Sequence, residues 1–151
     1  MAAFEDLAKK WTDAFNKHDA RAVAALYAQD CVAYDPFFPE PLKGRAAIEK
    51  DAADFFRAFP DLRGEVINIL ERGDRGAGEI KLTGTNSGPM ATPMGEVPAT
   101  GKRIDLRGAL VGRLNAENLI VEERRYYDTG AMMKQLGLAP EVADAEAVAA
   151  R

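Results

Sequence analysis

Residues 118–128 read Asn-Leu-Ile-Val-Glu-Glu-Arg-Arg-Tyr-Tyr-Asp. Simple alternation puts Ile120, Glu122, Arg124, Tyr126 and Asp128 on one face of a strand and Leu119, Val121, Glu123, Arg125 and Tyr127 on the other. Both faces mix apolar and charged groups, whereas a strand covering a dry core keeps one face apolar. The pattern therefore predicts the last strand of a curved sheet, with one face lining a partly polar cavity. Asp128 closes the strand, ahead of Thr129-Gly130 and a short helical pattern over Ala131–Leu136. Its carboxylate has two readings: the floor of a pocket, or the N-cap of that helix.

Upstream of this stretch the chain is a run of strands. Leu62–Leu70, Glu79–Asn86 and Lys102–Leu114 alternate in the same way, with a turn at Arg72–Gly76 between the first two. Ser87–Gly101 breaks the run with three prolines and two methionines, and is expected to form an extended loop or hairpin at a cavity mouth or subunit contact. The amino-terminal third is helical. Phe4, Leu7, Ala8, Trp11, Ala14 and Phe15 form one stripe over 3–17; Asp19 reads as the cap of a second helix; Ile48, Ala52, Phe55, Phe56 and Phe59 mark a third. A short strand, Cys31–Asp35, and the proline-stiffened loop Pro36–Leu42 with Phe37 and Phe38 lie between the second and third helices. Helices first and consecutive strands after predict an α+β fold with a mostly antiparallel sheet.

Several function classes are excluded early. With 47% hydrophobic residues, 151 positions can fold as one domain, expected over 1–138, followed by an alanine-rich tail over 139–151. The net charge of −4 is spread without basic blocks, which argues against a nucleic-acid surface. No apolar run is long enough to span a bilayer, and the opening residues lack a signal-peptide pattern, so a cytoplasmic protein is expected. One cysteine and one histidine exclude an internal disulfide and a Cys/His zinc site. The motifs of nucleophilic hydrolases, P-loop proteins and dinucleotide binders are absent. Acids, aromatics and arginines must carry any chemistry: Asp35, Asp105 and Asp128, with Tyr34, Asn86, Arg103, Arg107, Arg124 and Tyr126 as helpers. His18, in a turn with no acidic partner on its own element, reads as a surface residue, and Asp105, between Arg103 and Arg107, as a member of a structural ion pair.

Short segments strung along nearly the whole chain carry a family resemblance. They are W-T-D-A-F-N-K-H-D-A-R-A-V-A-A-L-Y-A-Q-D-C-V-A-Y-D-P at 11–36, G-R-A-A-I at 44–48, F-P-D at 59–61, G-T-N-S-G at 84–88, P-A-T-G-K-R-I at 98–104 and R-R-Y-Y-D-T-G-A-M-M-K-Q-L-G at 124–137. In this order and spacing they resemble the SnoaL-like polyketide cyclases of the NTF2-like superfamily. The resemblance implies a cone: a curved, mostly antiparallel sheet wrapped around three N-terminal helices, with an apolar cavity inside. It also implies that Asp128 acts as acid and base in an intramolecular aldol closure, with no metal or organic cofactor. Asn86 stands where these cyclases commonly have histidine, and Arg124 where an aromatic is usual. The segment Tyr34-Asp35-Pro36 is similar to the base-bearing stretch of ketosteroid isomerases, making Asp35 a second candidate base, with Trp11 at the position of their first-helix tyrosine.

The expected catalytic residues are thus Asp128 and Asp35. The expected substrate-binding residues are Tyr34, Asn86, Arg124, Tyr126, Trp11, Phe15, Phe38, Phe56 and Met90. The expected ligand is a small apolar carbonyl compound, bound by a homodimer that pairs through the convex face of the sheet. The alternatives are an isomerase, or a module that only binds or dimerises.

Overall fold

The computed structural model describes residues 2–139. Of the expected tail, all but Ala139 lies outside the described residues. The chain opens with α1 (Ala3–Asn16) and α2 (Ala20–Ala24), then β1 (Tyr27–Tyr34), the two-residue β2 (Leu42–Lys43) and α3 (Arg45–Ala58). The long strands β3 (Arg63–Arg72) and β4 (Arg75–Thr85) follow, then a small hairpin of β5 (Met90–Thr92) and β6 (Gly95–Val97). The strands β7 (Arg103–Leu114) and β8 (Ile120–Tyr127) and the short α4 (Thr129–Gln135) complete the described chain.

Six strands form one sheet in the order β2-β1-β8-β7-β4-β3. Every pairing is antiparallel except β1 with β8, which is parallel. This is the expected α+β architecture, with the helices on the concave side. Asp19 caps α2 as its sequence suggested, its side chain accepting from Ala22 N at 3.0 Å. That helix is shorter than its pattern implied, and β1 begins at Tyr27 instead of Cys31. The expected break after β4 contains the β5–β6 hairpin, held against α3 by Arg57 and Glu96 at 2.8 Å.

The core is apolar and close-packed. Phe15, Phe56, Phe59, Leu62, Ile104 and Leu136 form one part, and Phe4, Tyr27, Cys31, Ile48, Leu114 and Ile120 another. His18 belongs to this framework and not to the open surface: its Nε2 lies 2.7 Å from the Leu62 carbonyl oxygen, and its ring stacks on Phe56.

The decisive local feature is an irregularity in β8. Leu114 of β7 pairs with Ile120, but the next residue back, Arg113, pairs with Glu122. Val121 is therefore an extra residue, a β-bulge, and a bulge shifts which side chains share a face. Ile120 and Glu123 are both buried, and inward alternation continues through Arg125 and Tyr127. Simple alternation across 118–128 had grouped Ile120 with Arg124, Tyr126 and Asp128. The bulge turns those three outward.

Candidate functional site

Inside the cone lies a cavity of ≈ 130 Å³. Its apolar walls come from Trp11 and Phe15 on α1, Ile48 and Phe55 on α3, Ile80 and Leu82 on β4, Leu106 and Leu110 on β7, and Met132 on α4. Its polar groups are Tyr27 and Asp35 from the two ends of the β1 region, Asp51 from α3, and Glu123, Arg125 and Tyr127 from β8, with the exposed Arg107 of β7 and Tyr126 of β8 at its border.

Arg125 is the hub of the polar groups. Its Nη1 donates to Asp51 Oδ2 at 2.9 Å and Asp35 Oδ2 at 3.1 Å, and its Nε donates to Glu123 Oε1 at 2.7 Å. Tyr27 donates its hydroxyl to Glu123 Oε2 at 2.6 Å, and Tyr127 donates to Asp35 Oδ1 at 2.7 Å. Asp35 also accepts from Phe37 N–H at 2.9 Å. Asp35 and Glu123 are thus occupied on both oxygens. Asp51 is not: among the described residues it accepts through Oδ2 from Arg125, whose guanidinium also lies within hydrogen-bonding reach of the Tyr27 hydroxyl.

Three carboxylates surround one guanidinium, and all four side chains are largely withdrawn from solvent. Burial disfavours the charged form of an acid, and neighbouring like charges add to the effect. Burial raises the pKa of Asp51 first, against the opposing pull of Arg125, and Asp35 and Glu123 push it up further. The Tyr127 hydroxyl is pushed far above its usual range by burial and by Asp35. Burial pulls the Arg125 pKa down, but Glu123, Asp51, Tyr27 and Asp35 together outweigh this and hold the guanidinium protonated. The site sets a carboxyl whose pKa is raised by burial beside a buried guanidinium. Among the described residues no group of His, Cys, Asp and Glu is arranged to hold a metal ion.

The expected site residues divide between this cavity and other places. Trp11, Phe15 and Asp35 line it. Phe38 and Met90 line a smaller neighbouring cavity of ≈ 60 Å³, which shares Asp35, Asp51, Phe55, Tyr127 and Met132 with the first. Phe56 is buried in the core between Phe15 and His18. Asn86 is fully buried, and its amide works on the backbone: Nδ2 donates to the Ala58 and Gly88 carbonyls, and Oδ1 accepts from Thr100 N–H and its hydroxyl. It fastens the base of the β5–β6 hairpin and does not line the cavity.

The remaining expected residues lie outside the cavity or at its border. Arg124 lies outside, paired with Glu122 and placed over the Tyr34 ring at 5.0 Å. Tyr34 is 44% exposed and Tyr126 55%, although Tyr126 borders the cavity. Asp128 is exposed and caps α4, accepting from Ala131 N–H at 2.9 Å. It does not line the cavity.

Sequence reasoning missed Asp51, Glu123, Arg125 and Tyr127. A signal for Asp51 was available. It sits on the α3 stripe with Ile48, Ala52 and Phe55, and an acid on an apolar stripe must find a buried partner. Glu123, Arg125 and Tyr127 were in view as the second face of the strand.

With the geometry in hand, comparison with known proteins gives the class. A SnoaL-like polyketide cyclase profile matches residues 5–136. The chain belongs to the SnoaL-like polyketide cyclase family. A search of curated protein sequences finds no match. Among solved structures, AclR from Streptomyces galilaeus, a candidate hydroxylase, is 26% identical, with 97% of this chain and 88% of that one aligned at a TM-score of 0.75. IdmH from Streptomyces antibioticus, a candidate polyketide cyclase, is 28% identical over 88% of this chain and 97% of its own, at a TM-score of 0.68. A protein from Catenulispora acidiphila with a ketosteroid isomerase-like fold, in complex with trimethylamine, shares the fold at 17% identity, 92% and 98% coverage and a TM-score of 0.74. Family and neighbours support a cyclase-type function and the NTF2-like fold.

Proposed function

We propose that the protein is a small-molecule cyclase that performs acid/base chemistry next to a carbonyl, with Asp51 as the proton carrier and Arg125 as the oxygen-binding group. One observation carries this reading: the cavity is lined by a carboxyl whose pKa is raised by burial and which is bonded through one oxygen only, beside the Arg125 guanidinium. In this reading a substrate carbonyl oxygen accepts from the Arg125 guanidinium. Asp51 Oδ1 removes a proton from the adjacent carbon, and the negative charge moves to the carbonyl oxygen beside the cation. The enolate carbon attacks a second carbonyl of the same molecule, forming the ring bond, and Asp51 returns its proton to the new alkoxide. Every step is a proton transfer or a carbon–carbon bond formation, so the proposal calls on no cofactor. Asp35 holds Arg125 and Tyr127 in place, and Asp128 has no part in the chemistry. The apolar walls favour a substrate whose remaining surface is hydrocarbon.

The test is turnover of candidate polyketide esters and unsaturated ketones by Asp51→Asn and Asp128→Asn, both checked for folding. Asp51→Asn losing activity while Asp128→Asn keeps it supports the reading. Wild-type turnover by a folded Asp51→Asn sinks it.

A second proposal concerns assembly. On the convex face Leu70, Ala77, Val111, Arg124 and Tyr34 fall in one row across five strands. Leu70 is 66% exposed and Val111 40%. We propose that this row pairs with a second copy in a homodimer. Sedimentation at micromolar concentration should show a dimer, and Val111→Glu a monomer. A monomeric wild-type protein would contradict it.

A further inference from the structure

A second apolar chamber of ≈ 80 Å³ adjoins the Arg125 cavity within the cone, between α1 and strands β3, β4 and β7. It is lined by Phe4, Leu7, Val66 and Ile69 and by the bare backbones of Gly76, Gly78 and Gly112. Trp11, Ile80, Leu110 and Glu123 line both chambers, so these four form the partition between them. The Trp11 indole is held in that partition. It stacks on Phe15 with ring centroids 4.5 Å apart, and its edge lies so close to Gly64 that a Cβ there would come within 2.8 Å of it.

Among the glycines lining this space, Gly78 leaves the most room. Gly78 sits between Ile69 and Leu110 in adjacent strands, both of which line the chamber. A Cβ on Gly78 would meet nothing nearer than the Asn68 carbonyl oxygen at 4.0 Å, so the neighbouring side chains leave this volume empty. An apolar cavity of about 150 Å³ takes a benzene ring. The second chamber is well under that, and its walls offer a ligand no polar group apart from Glu123, already bonded to Arg125 and Tyr27.

We infer that the second chamber is a tail-binding subsite for an unbranched aliphatic chain, with Trp11 setting the passage and Gly78 setting the depth. The substrate is accordingly a carbonyl compound with a straight alkyl arm: the carbonyl at Arg125, the arm running past Trp11. This rests on the proposed placement of the carbonyl. It can fail separately, because the readout is binding and not turnover.

The test uses straight-chain methyl ketones from pentanone to undecanone. Trp11 is the one tryptophan, so its emission reports on the partition. Calorimetric affinity should rise by about fourfold per methylene while the chain fills the chamber, then stop, and Trp11 emission should shift over the same lengths. In Gly78→Val the rise should stop one or two carbons earlier. In Ile69→Ala, which enlarges the chamber, it should stop later, and this variant decides the matter if Gly78→Val does not fold. A cyclohexyl ketone should bind more weakly than its straight-chain counterpart of equal carbon number. An identical stopping length in all three proteins, an unmoved Trp11 emission, or equal binding of the cyclohexyl ketone would overturn the inference. Asp51→Asn turnover bears only on the acid/base proposal and leaves this series unaffected.

Discussion

The two faces of β8 carry nearly the same chemistry and sit in opposite environments. Inside, Glu123, Arg125 and Tyr127 lie 2.6–3.1 Å from partners on β1, its following loop and α3, which bring Tyr27, Asp35 and Asp51 to meet them. Outside, Glu122, Arg124 and Tyr126 form a similar triplet, with Arg124 paired to Glu122 and lying over Tyr34. An acid, an arginine and a tyrosine at alternate positions thus occur twice on one strand. Only the inner set is withdrawn from water, and burial there, with Asp35 and Glu123 adding to it, raises the pKa of Asp51 against the pull of Arg125. The strand's composition does not distinguish a buried cluster from a solvated surface; the side of the sheet does.

The largest effect expected from this contrast is catalytic. Asp51→Asn should slow turnover by roughly 10²–10⁴-fold, the usual loss for a positioned proton-transfer group, measured by steady-state kinetics on any substrate found. Asp128→Asn should retain the wild-type rate. If the two variants exchange behaviour, the inner face is not the reactive one.

Next is stability. Arg125→Ala leaves three buried carboxylates without their cation and should cost about 3–5 kcal/mol in urea denaturation. Arg124→Ala, on the exposed face, should leave the denaturation midpoint unchanged within error. An equal loss from both would mean that burial does not separate the two faces.

A smaller effect tests the strand end. Asp128→Ala removes the acceptor of the Ala131 N–H and should cost about 0.5–2 kcal/mol, with Asp128→Ser recovering most of it. A loss of activity without a loss of stability would contradict the capping role.

The last expectation concerns pH. The folded-state pKa of Asp51 is raised above its ordinary 3.8. Its contribution to stability is therefore fully present below about pH 4 and is lost as pH rises through the folded value. In Asp51→Asn the stability profile from pH 4 to 7 should slope downward less steeply than in the wild type. Parallel profiles would mean that Asp51 ionises in the fold as it does in the unfolded chain.

How far the sequence could be read follows from the range of each interaction. Local patterns identified α1, α3, the Asp19 cap and the long strands, because helical periodicity, capping and alternation act within a few residues. Helices first and strands after gave the α+β class, and the strung-out resemblance gave the cone. The same local logic contained the capping role of Asp128, an interaction three residues long. The interior could not be read this way. Which face of β8 points inward depends on one extra residue, Val121, whose bulge is defined only by its pairing with β7. The Arg125 cluster joins residues 74 and 90 positions apart, and only the closed sheet brings them together. The sequence by itself determined the elements and the family resemblance. The tertiary structure alone decided which acid is buried, because burial belongs to the assembled cone and to no segment of it.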